Sequence, residues 1–236
     1  MRVIVAARNE GDRIEATLTS LRAALPRARL WVADDASRDA TAEIARSLGA
    51  TVVSSPRHAG KGAVMSEAAG LALGERAGAG HGAAGPAGED ELFLLCDGDL
   101  GDCAGELVAL VEAVREGRAE LAIAAFSERQ GGGFGLVRGF ARRAIRARCG
   151  LALQAPLSGQ RALAGDLLGR LLPFARGYGM EMGMTIDAAH AGARVVELEL
   201  PLRHRVSGRT PAGFAHRARQ LFDLLRVRAA RTGGGA

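Results

Sequence analysis

The alternation of strand-like and helix-like segments is the feature that most constrains how this chain can fold. Six short apolar runs have the length and composition of strands, at residues 2–6, 30–33, 51–54, 91–96, 121–126 and 195–200. Segments with apolar residues at helical spacing lie between them, at residues 14–25, 39–49, 62–73 and 104–116. This alternation predicts an α/β fold, in which a mostly parallel sheet carries helices on both faces. Ligands of such sheets bind at the carboxyl ends of the strands.

The composition is that of an ordinary folded domain, because 48% of the 236 residues are hydrophobic and 24% are charged. No uncharged stretch approaches the roughly 18 residues that cross a bilayer, and Met1 leads directly into a strand without room for a signal peptide. The three cysteines have no C-x-x-C spacing, which is typical of a reducing compartment. These observations predict a cytoplasmic protein.

Residues 74–90 interrupt the pattern with glycine, alanine and proline, which predicts a flexible loop. The run GHGAAG within it has the spacing of a dinucleotide-binding fingerprint. That fingerprint must follow a strand and open a helix, whereas this run follows a predicted helix and precedes a strand. We therefore interpret it as part of a low-complexity loop. Residues 232–236 are predicted to form a disordered tail.

The chain has a formal charge of +5, which suits a partner that carries phosphate groups. Aromatic residues make up only 4% of the sequence, too few for a stacking surface, so a nucleic-acid partner is not expected. Residues 137–149 and 212–230 are basic and amphipathic. Their arginines either form the solvated face of core-packing helices or contact a phosphate-bearing or lipid-linked partner.

Acidic and polar side chains follow three of the predicted strands. Glu10 comes after the first strand, Asp34 and Asp35 after the second, and Asp97 and Asp99 after the fourth, with a single glycine between them. Carboxylate oxygens suit Mg²⁺ or Mn²⁺, which also bind diphosphate oxygens. Alternatively, such residues serve only as caps of turns.

Several segments, taken together and in order, resemble family 2 glycosyltransferases of the GT-A fold. They are VIVAARNE at residues 3–10, WVADDASRDAT at 31–41, AGKGA at 59–63 and DGDL at 97–100. Downstream, PLSGQRAL at 156–163 and GYGMEMG at 177–183 resemble the acceptor half of enzymes of the dolichyl-phosphate mannosyltransferase and glucosyl-3-phosphoglycerate synthase type.

The resemblance implies a single GT-A domain over residues 1–231, with a nucleotide-sugar-binding half at 1–126 and an acceptor half at 127–231. It implies metal-dependent transfer of a sugar from a UDP- or GDP-linked donor, with Mn²⁺ or Mg²⁺ as cofactor. The acceptor is a small molecule or lipid-linked and can be phosphorylated, and the basic segments are compatible with peripheral membrane contact. A homodimer is among the expected assemblies, and the resemblance covers both inverting and retaining enzymes.

The resemblance also implies site residues. Residues expected to contact the nucleotide sugar are Ala6, Ala7, Glu10, Asp34, Asp35, Lys61, Asp97, Gly98 and Tyr178. Asp34 and Asp35 remain alternatives for the contact with the base or ribose. Asp97 and Asp99 match the ends of the D-x-D motif, with Asp99 as the direct metal ligand and a catalytic residue, and His204 matches a histidine that completes the metal site. Alternatively, His204 only packs among the neighbouring arginines.

Glu181 is expected to be the catalytic carboxylate that accepts a proton from the acceptor. Its methionine and glycine neighbours predict a mostly apolar setting, although a glutamate also commonly opens a helix. Two other hypotheses are a nucleotidyltransferase, which usually has a Gly-rich loop after the first strand, and a catalytically decayed sugar-nucleotide-binding protein. Arg8, Asn9 and Glu10 occupy the place of such a loop here.

Overall fold

The computed structural model describes residues 1–77, 92–126, 135–202 and 223–227 of the chain. Its strands are β1 (Arg2–Ala7), β2 (Arg29–Asp34), β3 (Thr51–Ser54), β4 (Leu92–Asp97), β5 (Leu121–Phe126), β6 (Arg161–Ala164) and β7 (Val195–Leu200). Its helices are α1 (Ile14–Ala24), α2 (Thr41–Ser47), α3 (Lys61–Ala77), α4 (Val108–Arg115), α5 (Gly135–Cys149), α6 (Gly165–Leu171) and α7 (Met180–His190). Two 3-10 segments, Gly101–Leu107 and Gly177–Gly179, precede α4 and α7.

The strands form one seven-stranded sheet in the order β3-β2-β1-β4-β6-β5-β7. Strand β1 pairs in parallel with β2 and β4, β2 pairs in parallel with β3, and β5 pairs in parallel with β7. Strand β6 lies between β4 and β5 and is antiparallel to both. The predicted mostly parallel α/β sheet is therefore confirmed, whereas β6 was not among the predicted strands. A four-residue strand gives too short an apolar pattern to be recognised.

Each face of the sheet is covered by its own hydrophobic core. Because side chains alternate along a strand, Val3 and Val5 point to one face and Ile4 to the other. Helices α1, α2 and α4 cover the first face, and α3, α5, α6 and α7 cover the second. Strands buried on both faces require continuous apolar runs, which is what the sequence of β4 shows.

Two of the predicted helices have clearly different bounds in the structure, and α6 was not among the predicted helices. Residues 74–77, predicted as the start of a loop, continue α3, and Glu75 there accepts a hydrogen bond from Arg29 at 3.1 Å. The helix predicted over 104–116 is a 3-10 segment followed by the shorter α4. The remainder of the predicted loop and most of the basic segment at 212–230 lie outside the described residues. Among the described helices, none is long and apolar enough to cross a membrane.

Candidate active site at the carboxyl ends of the strands

The loop that follows β1 is held against the loop that follows β2. The amide of Asn9 donates to Oγ of Ser37 at 2.9 Å, and Oδ1 of Asn9 accepts from the amide of Arg38 at 2.9 Å. Asn9 has a φ of 55°, in the left-handed region that asparagine tolerates better than most residues. These contacts fix the carboxyl edge of the sheet where β1 and β2 end.

Asp35 organises the turn that precedes α3. Its carboxylate accepts hydrogen bonds from the amide of Ala59 at 2.7 Å and the amide of Gly60 at 3.1 Å. Nδ1 of His58 lies 2.6 Å from Oδ2 of Asp35, and Arg8 donates to Nε2 of His58 at 3.3 Å. Because Nε2 accepts, the proton of the neutral imidazole is on Nδ1, which donates to Asp35. Through its bonds to the amides of Ala59 and Gly60, the Asp35 carboxylate holds the turn before α3 in place.

Asp34 is also buried, yet it lines an open cleft. The amide of Ser37 donates to its Oδ1 at 3.2 Å. The cleft has a volume of about 590 Å³. Residues at the ends of β2 and β3 and in the loops after β1, β2 and β3 line it: Arg8, Asp34, Ala36, Ser37, Arg38, Ser54, Ser55, Pro56, Arg57 and His58. Of the two candidate aspartates, Asp34 is therefore the one that faces the cleft.

Three other residues predicted to contact the donor lie at the end of β1, beside this cleft. Ala6 is half-buried, whereas Ala7 packs into the core on the opposite face of the sheet. The amide of Glu10 donates to Oγ1 of Thr41 at 2.8 Å. None of the three is among the residues that surround the cleft, so their contact with a nucleotide stays a prediction.

Lys61 brings together two of the predicted functional carboxylates. Its Nζ lies 2.6 Å from Oδ1 of Asp97 and 2.8 Å from Oε1 of Glu181. Lys61 is the first residue of α3, Asp97 the last of β4, and Glu181 lies in the first turn of α7. Burial opposes the lysine charge, but the two carboxylates outweigh it and raise the pKa of Lys61 above its ordinary value.

The setting of Glu181 differs from the prediction. The methionines on either side are buried as expected, but the carboxylate itself contacts the Lys61 ammonium. The prediction of a mostly apolar setting is therefore wrong for the carboxylate oxygens. The cation comes from a segment 120 positions away, which the local sequence cannot reveal.

Two residues of the segment before β6 complete the surroundings of Asp97. Nε2 of Gln160 donates to Oδ2 of Asp97 at 2.8 Å, and Ser158 donates to Oε1 of Gln160 at 3.0 Å. Gly159 lies against the Lys61–Asp97 pair, since an added Cβ would be 2.5 Å from Nζ and 2.7 Å from Oδ2. Both carboxylate oxygens of Asp97 thus have protein partners. Sequence reasoning gave Gln160 and Gly159 no role.

Hydrogen bonds to β1 and α1 hold the D-x-D segment in place. The amide of Gly98 donates to the carbonyl of Ala6 at 2.8 Å, and the buried Thr17 donates to the carbonyl of Gly98 at 2.9 Å. A Cβ at Gly98 would lie 3.1 Å from that carbonyl oxygen of Ala6, which leaves little room for a larger residue. Asp99 is half-buried at this edge, and its carbonyl accepts from Arg13 at 3.4 Å.

Arg161 holds the segment before β6 from inside the protein. The side chain is fully buried and donates to the carbonyls of Ser158 and Pro156 and to Oγ1 of Thr185. Burial lowers the pKa of Arg161 to about 10, although the carboxylates of Glu181 and Glu197 oppose this shift. An arginine inside a short strand carries no sequence signal for such a role.

Two predicted site residues are not fully described. Tyr178 lies in the 3-10 segment before α7, and its side chain lies outside the described part. His204 lies outside the described residues, so its metal contact stays a prediction. Within residues 1–77, 92–126, 135–202 and 223–227, no three His, Cys, Asp or Glu side chains form a metal-binding group.

The model of glycosyl transferase family 2 matches residues 2–154, which is more than half of the chain. No curated protein matches the sequence. The acidic groups and the lysine lie at the carboxyl ends of the strands, which is where α/β sheets of this kind bind their ligands. The family match makes the class specific: the chain belongs to glycosyl transferase family 2 and is a glycosyltransferase.

Solved structures with a similar fold include three crystal structures of glucosyl-3-phosphoglycerate synthase from Mycobacterium tuberculosis. The one with Mn²⁺, UDP and phosphoglyceric acid has a TM-score of 0.75 and 25% identity, covering 98% of this chain and 78% of that one. The one with Mg²⁺ and UDP has a TM-score of 0.76 and 24% identity, covering 98% and 79%. The one with Mn²⁺, UDP-glucose and glycerol 3-phosphate has a TM-score of 0.70 and 26% identity, covering 97% and 79%. The predicted GT-A fold is confirmed.

Proposed function

We propose that this protein uses a divalent cation to transfer a sugar from a nucleoside diphosphate sugar to a hydroxyl group of a phosphorylated or lipid-linked acceptor. The observation that carries the proposal is the placement of Lys61 between Asp97 and Glu181, at 2.6 and 2.8 Å. This arrangement brings three groups to one edge of the sheet: the D-x-D carboxylate of Asp97, the Lys61 ammonium, which suits a diphosphate, and the Glu181 carboxylate. The similar synthase was crystallised with UDP and phosphoglyceric acid, and with UDP-glucose and glycerol 3-phosphate.

The nucleoside of the donor occupies the cleft between the loops after β1, β2 and β3. Asp34 faces this cleft, and its carboxylate can accept a hydrogen bond from a base or ribose. Arg8 and Arg57 line the same cleft and can donate to base carbonyl groups or to phosphate oxygens. Asp35, which holds the turn before Lys61, positions the cleft wall and the lysine together.

The residues at the end of β4 fit Mn²⁺ or Mg²⁺. Asp97 at the end of β4 and Asp99 in the turn that follows offer hard oxygen ligands, and such ions complete their shell with water and diphosphate oxygens. Asp97 is also bonded to Lys61 and Gln160, which leaves Asp99 as the direct ligand and His204 as its proposed partner. A cation bound here stabilises the charge that develops on the diphosphate leaving group.

The chain's own residues account for the remaining chemistry. Glu181 accepts the proton of the acceptor hydroxyl as the oxygen of that hydroxyl forms its bond to the sugar C1. The bond from C1 to the β-phosphate oxygen breaks, and its electron pair leaves with the nucleoside diphosphate. Lys61 lies beside Asp97 and so can stabilise that diphosphate while it also orients Glu181. Direct displacement by this route inverts the anomeric configuration.

The basic face of α5 favours an acceptor that carries phosphate or lies at an anionic membrane surface. Four arginines, Arg138, Arg142, Arg143 and Arg146, are exposed along one side of this helix, while Val137, Ala141, Ala144 and Ile145 are buried on the other. The sequence of α5 contains no acidic residue. We place the membrane-facing side of the protein on this arginine face.

The decisive experiment incubates the purified protein with a panel of UDP- and GDP-sugars and Mn²⁺ and measures release of nucleoside diphosphate. Phosphorylated small acids and polyprenyl phosphates serve as acceptors. We expect release that depends on both the acceptor and the cation, with UDP-sugars preferred. Thermal shifts by UDP should be large with Mn²⁺ and small with a chelator, and Asp99→Asn should abolish the difference. Equal shifts in both conditions would contradict the metal, and binding without release would indicate a decayed enzyme.

A further inference from the structure

The 3-10 segment Gly177–Gly179, which leads into the helix of Glu181, is packed between two other segments. On one side lies the turn before α3, since an added Cβ at Gly60 would be 3.7 Å from Cα of Gly177. An added Cβ at Gly62 would lie only 2.0 Å from the carbonyl oxygen of Ala175. The backbone before α7 is therefore in direct contact with the backbone around Lys61.

Residues 223–227, a short helical segment near the end of the chain, pack on the other side. An added Cβ at Gly179 would lie 2.2 Å from Cγ2 of Val227, and one at Gly177 would lie 2.2 Å from Oδ2 of Asp223. Leu224 and Val227 are buried in the same core as Met180 and Met184 of α7. This segment is thus fixed to the glycine turn and to the helix that follows it.

We propose that residues 223–227 form a brace that positions Glu181 against Lys61, with Val227 as the positioning residue. The brace presses the glycine turn onto the segment that carries Lys61, and Glu181 is only two residues beyond the last glycine of the turn. The 2.8 Å contact between Glu181 and Lys61 depends on where that turn lies. A catalytic carboxylate that moves by about 1 Å can lose about 100-fold in rate. This inference rests on the proposed role of Glu181.

Gly179 provides a clean test, because its φ of −80° and ψ of −10° suit alanine as well as glycine. The strain in Gly179→Ala arises only from the contact with Val227, whose branched side chain has little rotamer freedom. Val227→Ala removes Cγ2, and the remaining neighbours of the new Cβ are then at 3.4 and 3.5 Å, which is ordinary contact. The double variant Gly179→Ala/Val227→Ala should therefore restore the fit.

We expect Gly179→Ala to lower kcat about 10- to 100-fold while the Kd for UDP with Mn²⁺ changes less than about twofold. The double variant should recover most of kcat. Rates are measured at a temperature at which every variant is fully folded by circular dichroism. Val227→Ala alone removes the positioning contact without replacing it and should also lower kcat. Gly169→Ala is the matched control, because a Cβ there meets no atom within 4 Å. An unchanged kcat in Gly179→Ala, a double variant as slow as the single one, or a parallel loss of nucleotide affinity would each overturn the brace.

A second measurement separates this inference from the proposed reaction. Hydrogen exchange of peptides that cover residues 177–184 should become faster in Gly179→Ala and return to the wild-type rate in the double variant. If the wild-type protein transfers no sugar, the proposed function fails and the exchange result alone decides on the brace. Unchanged exchange in Gly179→Ala would overturn it whatever the activity.

Discussion

The Lys61 ammonium lies 2.6 Å from Oδ1 of Asp97, although the two residues are 36 positions apart in the sequence. The contact joins the first residue of a helix to the last residue of the central strand β4. A second carboxylate, Glu181, lies on the other side of the ammonium at 2.8 Å. Because both carboxylates stabilise the charged amine, the pKa of Lys61 is raised despite its burial.

This raised pKa predicts a loss of stability at alkaline pH. Below about pH 10.4, Lys61 is protonated in both the folded and the unfolded protein, and the ion pair contributes fully. Above that pH the unfolded chain loses the proton while the folded protein keeps it, so the free energy of unfolding falls by up to about 1.4 kcal/mol per pH unit. Urea unfolding of the wild type and Lys61→Met across this range checks the prediction.

The comparison with Lys61→Met isolates the lysine. Burial also raises the pKa of Cys96, with Lys61 as a smaller opposing influence, so most of the effect of this thiol is common to both proteins. We expect the free energy of unfolding of the variant to change less with pH above about pH 10.4 than that of the wild type. Equal slopes would mean that Lys61 is not paired in solution.

Gly159→Ala is predicted to damage the site with little effect on the fold. The new Cβ would lie 2.5 Å from Nζ of Lys61 and 2.7 Å from Oδ2 of Asp97, so one of these charged groups must move. We expect the affinity for UDP with Mn²⁺ to fall at least about tenfold, as when a group that supports a metal ligand is lost. Titration calorimetry measures the affinity, and Gly70→Ala serves as a control because nothing lies within 4 Å of a Cβ there. Wild-type affinity in Gly159→Ala would contradict the arrangement.

The sequence predicted the position of the site better than its internal contacts. Asp34 and Asp97 each end a strand, and the rule that strand ends of a parallel sheet share one edge was enough to group them, whereas Lys61 was assigned to the site only by the resemblance. Gln160 was not predicted because it reaches Asp97 through the antiparallel strand β6, 63 positions later. The pairing of a four-residue strand is decided by tertiary contacts rather than by its own pattern.

The two adjacent aspartates show the same limit at a smaller scale. Asp34 ends β2 and Asp35 follows it, and both are 4% exposed, so burial does not distinguish them. Asp35 accepts the amides of Ala59 and Gly60, whereas Asp34 faces the cleft. The path of a loop 25 positions away decides which of the two neighbouring carboxylates turns towards it. The local sequence does not specify that path.

The arginine face of α5 predicts binding to anionic membranes. Neutralising Arg138, Arg142 and Arg146 to glutamine removes three exposed charges from one side of the helix. At about 1 kcal/mol per arginine near an anionic surface, the triple variant should bind vesicles of phosphatidylcholine and phosphatidylglycerol about 100-fold more weakly. Co-sedimentation at low salt measures the binding.

The control for this experiment has the same change in charge on the other face of the sheet. Arg22, Arg46 and Arg115 are exposed on α1, α2 and α4, and their triple glutamine variant should bind vesicles nearly as well as the wild type. Equal losses in the two variants would show that only net charge matters. No binding by the wild type would remove the membrane from the proposal and favour a small phosphorylated acceptor.

Glu181→Gln tests the proposed proton acceptor with little change in shape. A glutamine keeps an oxygen that can accept from Lys61, so the 2.8 Å contact can persist, but its amide cannot take a proton from the acceptor. We expect donor and Mn²⁺ to bind normally and sugar transfer to slow by about 10²- to 10⁴-fold. Single-turnover kinetics with saturating UDP-sugar measure the transfer step, and Glu199→Gln, on the exposed edge of β7, should leave it unchanged. The anomeric configuration of the product is the second readout, because direct attack assisted by Glu181 inverts it. Wild-type turnover in Glu181→Gln, or a product that retains the configuration of the donor, would assign the chemistry to another group.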